Sequence, residues 1–139
     1  MKTKLLRVLL FISIVSFVAS CTSVKINSAT RNIVYPGIPS GKISMSYEVV
    51  LNSNFDFSIS KIIIGEKEIS IYSLQDQETH AFVNVKKNDY KAGSYKLVFK
   101  SSKVYKDGEN NKVTIEIIQK GKTKVITAIV TDKKPVHKR

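Results

Sequence analysis

The chain has 139 residues, one cysteine, no tryptophan, and a formal net charge of +12 from 23 basic against 11 acidic residues. That length allows a single domain with a core of its own. A lone cysteine leaves no partner for an internal disulfide, so packing alone must hold the fold, and the basic excess invites an anionic partner such as lipid headgroups.

Residues 1–20 read as a secretory leader. Met1 to Arg7 is short and basic, Val8 to Val18 is apolar apart from Ser13 and Ser16, and small residues follow. The apolar run is too short for a spanning helix, which needs roughly 20 apolar residues. The leader ends at Val18-Ala19-Ser20-Cys21, and this tetrad resembles the bacterial lipobox: aliphatic, small, small, cysteine. The resemblance implies cleavage before Cys21, a diacylglyceryl group on its sulfur and an acylated (palmitate-type) amino terminus. Two or three acyl chains would hold the domain firmly at a bilayer, where one binds only marginally.

Residues 21–32 are polar and lack periodicity, which predicts a lipidated tether. Ile33-Val34-Tyr35 is a short strand candidate, stopped by the Pro36-Gly37-Ile38-Pro39-Ser40-Gly41 segment. Ile43, Met45, Tyr47, Val49 and Leu51 alternate with Ser44, Ser46 and Glu48, the period of a half-buried strand. Phe57 to Ile64 and Ile69 to Leu74 flank Gly65-Glu66-Lys67 as a predicted hairpin. Alternation recurs at Ala81, Val83 and Val85, at Tyr95, Leu97 and Phe99, and at Val113, Ile115 and Ile117. A last strand over Lys124 to Thr131 is predicted to pair back across Lys120-Gly121-Lys122. It is apolar on both sides, which predicts partial cover on its second face.

Helical spacing is absent after residue 20, and about seven short strands with turns between them predict an all-β sandwich over residues 33–131. A small closed β-barrel is the alternative. Residues 132–139 read as a basic tail.

At Gly93-Ser94-Tyr95-Lys96-Leu97 the chain resembles an immunoglobulin-like domain. There, a tyrosine near the start of the penultimate strand hydrogen-bonds back to the preceding loop, two residues before a core position. That resemblance places Leu97 in the core. With its lipobox and the Tyr35 to Gly41 segment, the whole chain is similar to the small Ile/Lys/Asn-rich lipoproteins of Bacteroidota.

Chemistry-bearing patterns are few. Asp76, Glu78 and His80 would face one way in an extended chain, as a metal site or acid–base cluster would require, yet such a stretch is more often an ordinary loop. Asp107-Gly108-Glu109-Asn110-Asn111 resembles a calcium loop, but Lys112 and Ile118 stand where glycine and glutamate belong, and a hairpin turn explains the residues better. No Gly-x-Ser-x-Gly elbow or Gly-rich phosphate loop is present. The lysines lack a stacking platform of interleaved aromatics, which argues against nucleic acid as a partner. These features predict a non-enzymatic protein without cofactor or metal, whose one modified residue is Cys21.

Its expected role is that of a lipid-anchored binding, accessory or scaffold module of the cell envelope. Its partners would be the bilayer through the acyl chains, an envelope protein and an anionic envelope surface. By analogy with lipoprotein sorting, Thr22 in place of aspartate and the absence of an acidic cluster after Cys21 imply the outer membrane, facing the periplasm. The alternatives are a surface adhesin or pilus-like subunit that engages partners by strand addition, and a small hydrolase inhibitor.

Overall fold

A computed structural model of the chain describes residues 24–38, 41–106 and 108–133. Nine strands follow one another: β1 (Val24–Val34), β2 (Ser44–Ser53), β3 (Ser58–Ile64), β4 (Lys67–Ile69), β5 (Tyr72–Asp76), β6 (Gly93–Ser101), β7 (Lys112–Gln119), β8 (Lys122–Ile129) and β9 (Thr131–Asp132). They form two sheets, ordered β5-β6-β2-β1-β9 and β4-β3-β7-β8, and neither closes on itself. The fold is a β-sandwich, and the barrel alternative falls away. Reading β1 to β8 as A, B, C, C′, D, E, F and G reproduces the strand order of the immunoglobulin sandwich.

The core follows from the alternation. Met45, Tyr47, Val49 and Leu51 of β2 point inward and are buried. Antiparallel pairing sets Tyr47 beside Phe99, Val49 beside Leu97 and Leu51 beside Tyr95 of β6. The rings of Tyr47 and Phe99 stack with centroids 5.0 Å apart. Val113, Ile115 and Ile117 of β7, with Ile62 and Ile64 of β3, supply the opposing layer. Each such side chain contributes about 1.5–3 kcal/mol when fully buried. Ile43 falls outside β2 and is exposed.

The predicted tether is largely a strand. Val24 to Asn32 lie inside β1, which pairs with β2 along its whole length. A bulge between Ile26 and Ser28 shifts the inward set from Val24 and Ile26 to Ala29, Arg31 and Ile33. One extra residue therefore breaks the period of two, and an arginine occupies an inward slot. The predicted tail also begins inside the fold. Thr131 and Asp132 pair in parallel with Thr30 and Arg31, and the Lys133 N–H donates to the Arg31 carbonyl at 2.9 Å. Residues 134–139 lie outside the described set.

Other boundaries move for local reasons. The predicted strand over Ile69 to Leu74 is two elements: β4 closes a hairpin on β3 across Gly65-Glu66, and β5 crosses to the other sheet. The alternating stretch at Ala81 to Val85 forms no strand, only a bridge from Phe82 to Gln75. Val83 and Val85 still pack on the core from this irregular segment, while Phe82 is exposed. The β7–β8 hairpin does form, and Lys120 (φ 51°) and Gly121 (φ 72°) both adopt the left-handed conformation that a two-residue type I′ turn requires. Val125 and Ile129 of β8 are 60% and 65% exposed, so the predicted cover on that face is absent among the described residues.

Tyr95 does hydrogen-bond back, its hydroxyl donating to the Lys91 carbonyl at 2.7 Å, and Leu97 is fully buried. The strand differs from the expected one. Tyr95 is the third residue of β6, in the E position, whereas the F position belongs to β7.

Candidate functional site

Cys21 lies outside the described residues; the pole of the sandwich at which β1 begins is built as follows. Val24 is buried and pairs with Ser53 at the end of β2. The Ser53 hydroxyl donates to the Phe55 carbonyl at 2.5 Å and accepts from the Gln119 amide at 3.4 Å, so β1, the β2–β3 loop and the β7–β8 hairpin meet here. Phe55 remains 44% exposed, and the Lys120 ammonium sits 3.6 Å above its ring centroid, a cation–π contact. Lys25, which follows Val24 on β1 and pairs with Asn52, and Lys122, which pairs with Gln119 across the hairpin, are exposed. The nearby carboxylate of Asp56 is engaged: the Ala92 N–H at 3.0 Å and the Lys91 ammonium at 3.4 Å hold it below the usual carboxylate range. Neither Phe55 nor its pairing with Lys120 was legible beforehand, because a residue in a loop carries no periodic signal.

The structure does not align Asp76, Glu78 and His80 as an extended chain would. Residues 77–79 form a turn, closed by the His80 N–H donating to the Asp76 carbonyl at 2.9 Å. The Asp76 carboxylate accepts from the backbone N–H groups of Glu78 (2.8 Å) and Thr79 (3.3 Å), which is an Asx turn. His80 has a positive φ of 59°, and its carbonyl accepts from Gln75. The cluster is a loop that satisfies itself. Among the described residues, no group of three or more His, Cys, Asp or Glu side chains is placed to hold a metal ion.

The calcium-like segment is also put to structural use. Asp107 lies outside the described residues, and Gly108 to Asn111 belong to the connection between β6 and β7. Those strands are in different sheets, so the segment is a crossover and not a hairpin turn. Its carbonyls converge on a guanidinium. Arg31, 1% exposed, donates to the carbonyls of Lys106 (3.3 Å), Glu109 (2.7 Å) and Asn110 (3.0 Å), and forms an ion pair with Asp132. The Gly108 N–H donates to the other Asp132 oxygen at 3.1 Å. Burial opposes the Arg31 charge, but the hydrogen bonds and charge of Asp132, together with those of Tyr47, outweigh it and leave the guanidinium pKa raised. Arg31 in turn holds Asp132 below the usual carboxylate range. The sequence signal for this clasp was an arginine among alternating residues, hidden by the bulge before it.

Beyond the clasp lies an open hollow of about 570 Å³, lined by Glu66, Lys67, Lys103, Tyr105 and Asn110. Its charges are mixed. Arg31 and Lys103 both lie within 6 Å of the Tyr105 ring, at 5.8 and 5.5 Å.

Comparison of the sequence with protein-family models and with curated proteins gives no match.

Proposed function

We propose that the chain is a lipid-anchored, non-enzymatic lipoprotein of the bacterial envelope that acts by binding, as an accessory subunit or scaffold at the outer membrane, facing the periplasm. The observation that carries this reading is the leader ending at Val18-Ala19-Ser20-Cys21, with β1 described from only three residues further on. A sandwich joined so directly to acyl chains sits on the lipid surface, with its long strands projecting from it. A binding role is further supported by the use of the polar clusters: the Asp76 and Asp132 carboxylates hold loops and strands together.

Mass spectrometry of the membrane-extracted chain tests the anchor. The expected first residue is Cys21, carrying the mass of a diacylglyceryl group and an amide-linked acyl chain, and Cys21→Ala is expected to release the domain from the membrane. A different first residue, or an unmodified cysteine, would end this reading.

A second reading, a surface adhesin or pilus-like subunit, draws on β8. The outer edge of this strand pairs with no strand among the described residues, and it exposes Val125 and Ile129, so it offers a template for strand addition. Protease applied to intact cells separates the two. A periplasmic domain survives it, and a surface domain is cut.

A further inference from the structure

We propose that the pole formed by Lys25, Phe55, Lys120 and Lys122 is a docking surface for anionic phospholipid headgroups, which fixes how the sandwich stands on its bilayer. This rests on the lipid-anchor reading and deepens it.

Reach comes first. A chain extends at most about 3.6 Å per residue, so three residues place Cys21 within about 11 Å of Val24. Val24 is next to Ser53, Ser53 bonds Gln119, and Gln119 pairs with Lys122 across the hairpin. An acylated Cys21 therefore brings this pole, and not the end bearing Tyr35 and the hollow, to the headgroup layer.

Chemistry comes second. Lysines on flexible stems around a half-exposed ring suit an interface where the ring enters the acyl boundary and the ammonium groups meet phosphate. Lys120 already lies on the Phe55 ring, so cation and apolar body approach the bilayer as one unit. The carboxylate of Asp56 is occupied by Ala92 and Lys91 and opposes the surface weakly. Asp76 and Glu78 belong to the β5 side. That strand is three removed from β1 in the sheet, about 14 Å away at the usual spacing.

The chain lacks tryptophan, so Phe55→Trp creates a single reporter at this pole, and Ile38→Trp serves as its counterpart at the other end. The full processed lipoprotein is reconstituted into vesicles of phosphatidylglycerol mixed with phosphatidylcholine, or of phosphatidylcholine alone, with brominated lipid as quencher. In anionic vesicles the reporter at 55 is expected to emit further to the blue and to be quenched, while the reporter at 38 is not. Replacing Lys120 and Lys122 by glutamine is expected to shift the docked-to-undocked ratio about fivefold per lysine, as loss of one surface cation does. Far-ultraviolet circular dichroism and the thermal midpoint of the lysine variants should match those of the parent, which shows the fold intact.

Protein that floats with the vesicles but leaves the reporter at 55 unquenched would overturn the docking surface while sparing the anchor. Equal quenching in the two vesicle types would overturn the anionic preference. Protein that fails to float would remove the anchor reading and this proposal with it.

Discussion

Arg31 and Asp132 stand 101 positions apart in sequence and meet as an ion pair between neighbouring parallel strands, β1 and β9. The arginine is enclosed, the aspartate is one-fifth exposed, and three carbonyls of the β6–β7 crossover also accept from the guanidinium. One side chain thus ties the first strand, the last strand and a crossover into one unit. Removing Asp132 leaves a buried cation short of its counter-charge, so Asp132→Ala is expected to cost about 3–5 kcal/mol. Chemical denaturation measures this. A simple pair would tolerate joint replacement by apolar residues, but Arg31→Met with Asp132→Leu is expected to remain destabilised, because the carbonyls of Lys106, Glu109 and Asn110 lose their donor.

Acid should loosen the same clasp. The hydrogen bond from Arg31, helped by the Gly108 N–H, keeps the folded-state pKa of Asp132 low, whereas the unfolded chain carries an ordinary aspartate near about 3.9. Because the folded value is the lower one, the stabilisation is complete above the unfolded pKa and disappears as pH falls through the folded one. Asp132→Asn is expected to show a shallower loss of thermal midpoint below about pH 4 than the parent chain. Parallel curves would assign the acid sensitivity to other carboxylates.

The β7–β8 turn gives a backbone test. Gly121 has a φ of 72°, and nothing lies within 4 Å of where its Cβ would be. Gly121→Ala therefore meets no clash, and its expected cost of about 1–2 kcal/mol is conformational alone. Lys120→Asn relieves the positive φ, which asparagine tolerates, but gives up the ammonium's contact with the Phe55 ring, worth about 0.5–1 kcal/mol at an exposed site, so the two effects nearly cancel. Thermal denaturation should therefore lower the midpoint of Gly121→Ala and leave that of Lys120→Asn near the parent's.

Tyr95→Phe removes only the hydroxyl that donates to the Lys91 carbonyl. The expected loss is about 0.5–1.5 kcal/mol, toward the lower end because Lys91 is exposed and water can replace the donor. Hydrogen exchange should quicken around residues 91–93 before it does elsewhere. By contrast, Leu97→Ala opens a hole in the shared core and is expected to cost about 2–5 kcal/mol, a large share of a small domain's stability.

What could be read in advance follows from how each strand meets the core. Around β2, β6 and β7 every second residue is apolar and inward, so Tyr47, Leu97 and Ile115 were visible as core. β1 was hidden because its bulge moves the inward set by one and its inward slot holds a charge. Residues 80–86 misled in the opposite sense: Val83 and Val85 alternate and pack on the core, yet a Gln75–Phe82 bridge is all the pairing they form. Alternation reports burial, and pairing depends on what lies alongside. The partners of Arg31 and Phe55 come from distant loops, and a local pattern holds no trace of them.

The parallel contact between β9 and β1 also bears on assembly. A polypeptide emerging amino terminus first presents Arg31 a hundred residues before its counter-ion, so the guanidinium waits in water until Asp132 has been made. Closure of the seam beside β1 therefore depends on β9, and a chain truncated before position 131 would lack the latch that shuts the sandwich.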